Sequence, residues 1–181
     1  MVAEEVLAAV GLPEEAVGSV ASAVVAGVSV AVDQAEAGEG MRTKEFLSKL
    51  EHDKIVQAIR DAELATSGKI RVFIQRGRLE GDPLIAAQKR FQRLGLHKNA
   101  QHTDVLIFVA PRAHKFAIVG DEAVHQKCGD ELWQRLVGQM RDHFRNEKFG
   151  HALIEAIHEI GQMLAKYFPE RSTPSQDREQ Q

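Results

Sequence analysis

The sequence is poor in cysteine and in large aromatic side chains: one Cys, one Trp and one Tyr among 181 residues, with aromatics at 6%. A lone Cys128 excludes an internal disulfide framework and any zinc or iron–sulfur site built from several cysteines. Proline is scarce too, five in all, and no apolar run matches the ~20 residues that cross a bilayer. Excess charge of one sign is also missing. The net charge of −3 excludes the chain as a whole as a binder of polyanions. What is present is ordinary for a globular domain, 44% apolar and 27% charged residues. Collagen, simple disorder and a multi-span membrane protein are therefore excluded.

The charge is unevenly placed. Residues 1–40 contain seven acids (Glu4, Glu5, Glu14, Glu15, Asp33, Glu36, Glu39) and no Lys or Arg, whereas the remainder has a net charge of +4. Every Phe, Trp, Tyr and His lies between Phe46 and Phe168. Aromatic rings bring large apolar area to a core, so the domain is expected over residues 41–169. Residues 1–40 are an acidic Ala/Val-rich leader, expected to be flexible or loosely helical. Their apolar centre, 17–32, is preceded by acids where a signal peptide needs bases. Gly38-Glu39-Gly40 then breaks the chain ahead of Met41. The polar segment 170–181 has nothing to bury and is expected to be a disordered tail.

Inside the domain, Thr43 reads as the N-cap of an amphipathic helix, interrupted near His52-Asp53 and ended by Gly68. Residues 69–75 alternate and are rich in β-formers, the pattern of a strand. Asp82-Pro83 combines a cap with Pro at the first helical position. The run 105–110 is apolar throughout, the mark of a strand covered on both faces. A turn at 111–114 leads to a second strand at 115–119, making a hairpin. Helices are expected over 122–128, 130–145 and 150–167. A strand–helix–strand unit favours right-handed parallel pairing. The fold class is therefore α/β: a three-layer α/β/α sandwich on a small mixed sheet, with a β-α-β unit, an antiparallel hairpin and C-terminal helices.

The motif scan is largely negative. There is no phosphate-binding Gly-x-x-x-x-Gly-Lys-Ser/Thr loop, no Gly-x-Gly-x-x-Gly and no Gly-x-Ser-x-Gly elbow. Gln134, not Arg, stands six residues after Cys128, so Cys128 reads as a core-facing helix residue. Glu122/His125 and Glu155/His158 have the Glu-x-x-His spacing of di-iron bundles, but the strands contradict that fold. Basic residues at Arg71, Arg76, Arg78, Arg112 and Lys115 lack aromatic partners, so no nucleic-acid binding is expected. Arg76, Arg78, Arg112 and His114 surround the start of the Pro83 helix, where an anion pocket would be opposed by Asp82.

One constellation emerges from register. If Ala110 opposes Lys115 across the hairpin, Val105 opposes Gly120 and Asp104 opposes Asp121. Opposed strand residues have Cβ atoms about 5 Å apart. Two carboxylates that close call for a cation, a shared proton or solvent. Parallel pairing brings Lys69 to the same rim, with Thr103 and Glu122. Asp104, Asp121 and Glu122 are thus candidate ligands for calcium or magnesium, and Asp104 and Asp121 a candidate acid/base pair for phosphate esters. Lys69 or Arg112 would contact the phosphate. The simpler reading makes Asp121 a helix N-cap and Asp104 a strand-end residue.

The segments Ser67-Gly-Lys-Ile-Arg-Val, Asp104-Val-Leu-Ile-Phe-Val-Ala and Phe116-Ala-Ile-Val-Gly-Asp, followed by 149–169, resemble the TPM domain family, named for a thylakoid-lumen phosphatase and photosystem-repair relatives. The resemblance spans about residues 43–169 and implies an α/β/α sandwich. It also implies acid-phosphatase-like activity and calcium binding for some members, and accessory roles in membrane-associated complexes for others. Asp121 matches the acidic position after Gly120. Lys69 stands where relatives often have Glu, and Thr103-Asp104 where they often have Asn-Gly. Ala123 and Ala152 replace common glycines. A lysine in place of a carboxylate would compete with a metal ion. The expected function is a stand-alone binding or accessory module with an unidentified protein partner, with a weak metal-assisted phosphatase as the alternative. A cytoplasmic location is expected.

Overall fold

A strand that is apolar on both faces needs cover on both sides, and all six residues of β3 (Val105–Ala110) are buried. The computed structural model describes residues 26–31, 43–98 and 100–170, and places β3 inside a four-stranded sheet of order β1–β4–β3–β2. The other strands are β1 (Ala26–Ala31), β2 (Ile70–Ile74) and β4 (Lys115–Gly120). The helices are α1 (Thr43–Ser48), α2 (His52–Leu64), α3 (Pro83–Arg93), α4 (Glu122–Arg145) and α5 (Phe149–Tyr167).

β2 runs parallel to β3, from Ile70↔Val105 to Ile74↔Val109, and α3 makes the crossover. β3 and β4 are antiparallel from Val105↔Gly120 to Ala110↔Lys115, the register expected from the turn. That turn is a short 3-10 segment, Pro111–Ala113, closed by His114 in the left-handed region (φ 49, ψ 41).

Side chains of period two divide the sheet between two layers. Val105, Ile107, Val109, Phe116 and Ile118 join a core with α2, α4 and α5, where Trp133, Leu136, Leu153 and Ile157 are buried. Leu106, Phe108, Ala117 and Val119 face the other way and pack with Ala87 and Phe91 of α3. The α/β/α sandwich is as expected. Among the described residues, no helix is long and apolar enough to cross a membrane.

The structure corrects three details. Ala26–Ala31 of the leader is a strand, paired antiparallel along the whole of β4 from Ala26↔Gly120 to Ala31↔Lys115, so β4 is not the sheet edge. The rest of the leader and the tail beyond 170 lie outside the described residues. Thr43 does not cap a helix with its side chain; its hydroxyl donates to the Gln75 carbonyl at 3.4 Å. The interruption near His52 is real, since α1 stops at Ser48, but α2 ends at Leu64 and Gly68 instead leads into β2. The separate helices over 122–128 and 130–145 are as expected: Gly129, with φ of 67 and ψ of 170, breaks α4 between them.

Glycine 68 is required by a close approach. A Cβ there would overlap the Thr103 carbonyl oxygen and touch Leu164 Cδ1 at 3.2 Å. Bare backbone at Gly68 lets the chain entering β2 pass directly beside the chain entering β3.

Candidate functional site

The rim where β2 and β3 begin and β4 ends collects the expected residues. Val105 N–H donates to the Lys69 carbonyl at 2.8 Å, and Asp121 N–H to the Asp104 carbonyl at 2.9 Å. The ladder therefore continues past the strand ends and sets Lys69, Asp104 and Asp121 side by side. Thr103, Asp104 and Asp121 are buried, at 0%, 4% and 2% exposure. Burial at that level demands hydrogen-bond partners for each carboxylate.

Those partners include main-chain groups. Asp104 Oδ1 accepts from the Lys69 N–H at 2.9 Å. Asp121 has extended backbone (φ −68, ψ 168) and is the N-cap of α4; its Oδ1 accepts from the Glu122 N–H at 2.8 Å. Its Oδ2 lies 3.2 Å from His102 Nδ1. Lys69 thus reaches Asp104 through its backbone, while its side chain is exposed. Glu122 is exposed, and its Oε1 accepts from Gln126 Nε2 at 3.0 Å, one helical turn on.

The expected constellation is brought together only in part. Asp104, Asp121, Lys69 and Thr103 share the rim. Glu122 begins α4 at that rim, but its carboxylate is turned along the helix to Gln126. Arg112 is at the far end of the hairpin, about 20 Å away along a six-residue strand. The idea that it contacts a phosphate held by Asp104 and Asp121 is therefore corrected by the hairpin's length. At that far end, Asp82 Oδ1 accepts from the N–H groups of Leu84 (2.7 Å) and Ile85 (3.1 Å). The α3 N-terminus is thereby capped internally, which removes the donors an anion pocket would use there.

His102 escaped the sequence reading. It precedes Thr103 in a loop, with φ of 52, a conformation uncommon for a residue with a side chain. That backbone turns its half-exposed imidazole onto the buried Asp121 carboxylate. The only signal available in sequence was a histidine two residues from a predicted site aspartate.

A second group of polar side chains lies elsewhere. Among the described residues, Asp104, Asp121 and Glu122 do not form a set of three ligand atoms within 4.8 Å of one another, whereas His143, His151 and Glu155 do. His143 Nε2 is 2.7 Å from Glu155 Oε2, and His151 Nε2 is 2.9 Å from Glu155 Oε1. Glu155 thus pairs with these two histidines, while His158 of the Glu-x-x-His spacing is exposed.

These features define a class: an α/β/α sandwich on a mixed sheet, with an acidic rim between two parallel strand starts and a helix N-cap. The TPM domain sequence model matches residues 41–163, more than half of the chain, and the chain belongs to the TPM domain family. The NMR structure of the BA42 protein from the psychrophilic bacterium Bizionia argentinensis is similar, with 34% sequence identity and a TM-score of 0.61. The match covers 66% of this chain and 84% of that one. Among curated proteins, none matches.

Proposed function

We propose that this TPM domain works as a binding or accessory module for a protein partner, and that its rim aspartates hold the fold rather than a substrate. The observation that supports this reading is the engagement of both buried carboxylates with backbone N–H groups, Asp104 with Lys69 and Asp121 with Glu122. A carboxylate oxygen already held by a buried N–H has less freedom to reorient toward a metal ion or a substrate, and losing that bond would leave the donor without a partner. A hard cation at this rim would have to share those carboxylates with the N–H donors, and Lys69 brings a positive charge to the same rim.

A second reading, a weak hydrolase of phosphate monoesters, is favoured by one specific feature. Asp121 Oδ2 beside His102 Nδ1 orients an imidazole in the manner of a carboxylate–histidine pair, which can serve as a general base. Hydrolysis of p-nitrophenyl phosphate across pH 4–8, with and without millimolar calcium, magnesium or manganese, separates the two. The binding-module reading expects no rate above the blank and no rise in Tm with these ions. Turnover that disappears in both Asp121→Asn and His102→Ala would replace it with the hydrolase.

A further inference from the structure

We propose that the junction of α4 and α5 is a binding site for a zinc-class divalent ion, with His143 Nε2, His151 Nε2 and the Glu155 carboxylate as its ligands. The site is separate from the acidic rim and does not depend on the function proposed above. Asp121 caps the start of α4, whereas His143 lies in its last turn, about 20 Å beyond the Gly129 break at 1.5 Å per residue.

The arrangement follows from how the two helices are joined. The His143 carbonyl accepts the N–H of both Asn146 (3.1 Å) and Lys148 (3.0 Å), and Glu147 turns the chain at φ 56. α5 then starts at Phe149, so His151 falls in its first turn and Glu155 one turn later on the same face. Buried aromatics pin this corner. Phe144 and Phe149 meet edge to face at 5.3 Å, and Phe149 packs on Phe46 at 4.9 Å. Ligand positions held by rigid helix ends are ordered before any ion arrives.

The three groups are of the right chemistry. Both imidazoles aim Nε2 at one carboxylate, one ring set at 90° to the other with centroids 4.8 Å apart. Without an ion, each Nε2–H donates to Glu155. A cation takes the place of those two protons. Each neutral ring carries its proton on Nδ1 instead and offers the Nε2 lone pair. Zinc bonds of about 2.0–2.2 Å at tetrahedral angles separate ligand atoms by about 3.4 Å. Here His143 Nε2 lies 2.7 Å from one Glu155 oxygen and His151 Nε2 2.9 Å from the other, and the three ligand atoms lie within 4.8 Å of one another, so a shared ion needs small side-chain adjustments rather than movement of the helices. Two nitrogens and one carboxylate suit zinc and its neighbours, and not calcium or magnesium, which take oxygen ligands. His143 is 26% exposed, Glu155 45% and His151 56%, so an ion can enter from solvent and keep a position for water.

The test uses the full chain. Isothermal titration with zinc chloride is expected to give one ion per chain and a raised Tm, with no rise for calcium or magnesium at equal concentration. Zinc is expected to shift the Nε2 resonances of His143 and His151, leaving the other six histidines in place. His143→Ala and His151→Ala should each weaken binding by more than the roughly 10–100-fold that loss of an outer partner costs. Glu155→Gln should weaken it too, and His158→Ala should not. If His143→Ala fails to fold by circular dichroism, the histidine resonances of the unaltered chain decide. Absent binding overturns the proposal. So does binding that survives both histidine substitutions, spreads over other histidines, or is lost with Asp121→Asn.

Discussion

Cys128 is the last residue before Gly129 breaks α4, and its Sγ lies 2.9 Å from Met163 Sδ. It packs against the larger core, and burial pushes its thiol up from the ordinary 9.0 to about 11. The folded chain holds the neutral thiol more firmly than the unfolded chain does. This contribution is whole below pH 9 and is lost as pH rises through 11. Reactivity follows the thiolate. At pH 8 a thiol at 11 exposes about a hundredfold less thiolate than one at 9. Alkylation of the native chain by iodoacetamide is therefore expected to be about a hundredfold slower than that of the urea-unfolded chain at pH 8, rising about tenfold per pH unit up to pH 10. Equal rates in the two states would mean that Cys128 is neither desolvated nor covered.

The helices carry two glycines with opposite meanings. A Cβ on Gly161 of α5 would come within 2.6 Å of Ala62 Cβ and 3.2 Å of Ala62 Cα, so α2 and α5 touch through bare backbone. A Cβ on Gly138 of α4 would meet nothing within 4 Å. Alanine gains about 1 kcal/mol of helix propensity over glycine at either position. At Gly161 that gain is outweighed, because a 2.6 Å approach forces the helices apart and puts overpacking at the upper end of its range, about 2–3 kcal/mol. Urea denaturation is expected to show Gly161→Ala less stable by about 1–2 kcal/mol and Gly138→Ala more stable by about 0.5–1 kcal/mol. Two changes of the same sign would mean that the α2–α5 approach is not as close as Gly161 indicates. Much of this element level was readable in sequence. The hairpin register followed from the short turn at Pro111 to His114 and two unbroken apolar runs, and with it the adjacency of Asp104 and Asp121. Asp82-Pro83 announced α3, and Gly129 separated two helices. β1 was not readable, because Ala-Gly-Val-Ser-Val-Ala alternates only weakly, and its identity as a strand comes from lying along β4. The His143 group was also hidden. It needs two helices packed across a turn, and the local Glu155/His158 spacing drew attention to the wrong partner. At the rim, neighbours were legible in sequence but hydrogen bonds were not, because those depend on the turn of single backbone units such as that of His102.

At the scale of the whole molecule, the matched family span begins at residue 41, beyond the end of β1. β1 therefore adds a strand to the domain from outside that span. It covers β4, whose residues from Phe116 to Gly120 are all buried and which has one charge, Lys115, at its end. An apolar strand of this kind with its edge uncovered is a template for pairing with another chain. Removing residues 1–40 also removes seven acids and turns the net charge from −3 to +4, so measurements in about 0.3 M salt are needed to screen the charge change from the edge effect. Under those conditions the shortened chain is expected to keep its helical circular dichroism, because the larger core of α2, α4, α5 and the three remaining strands persists. Its Tm should fall, by roughly 3–5 °C for each kcal/mol that β1 contributes. Light scattering after gel filtration should show dimers whose share grows with concentration, as two β4 edges pair. A shortened chain that melts with the full-length protein and stays monomeric would mean that β1 neither stabilises the sheet nor guards its edge.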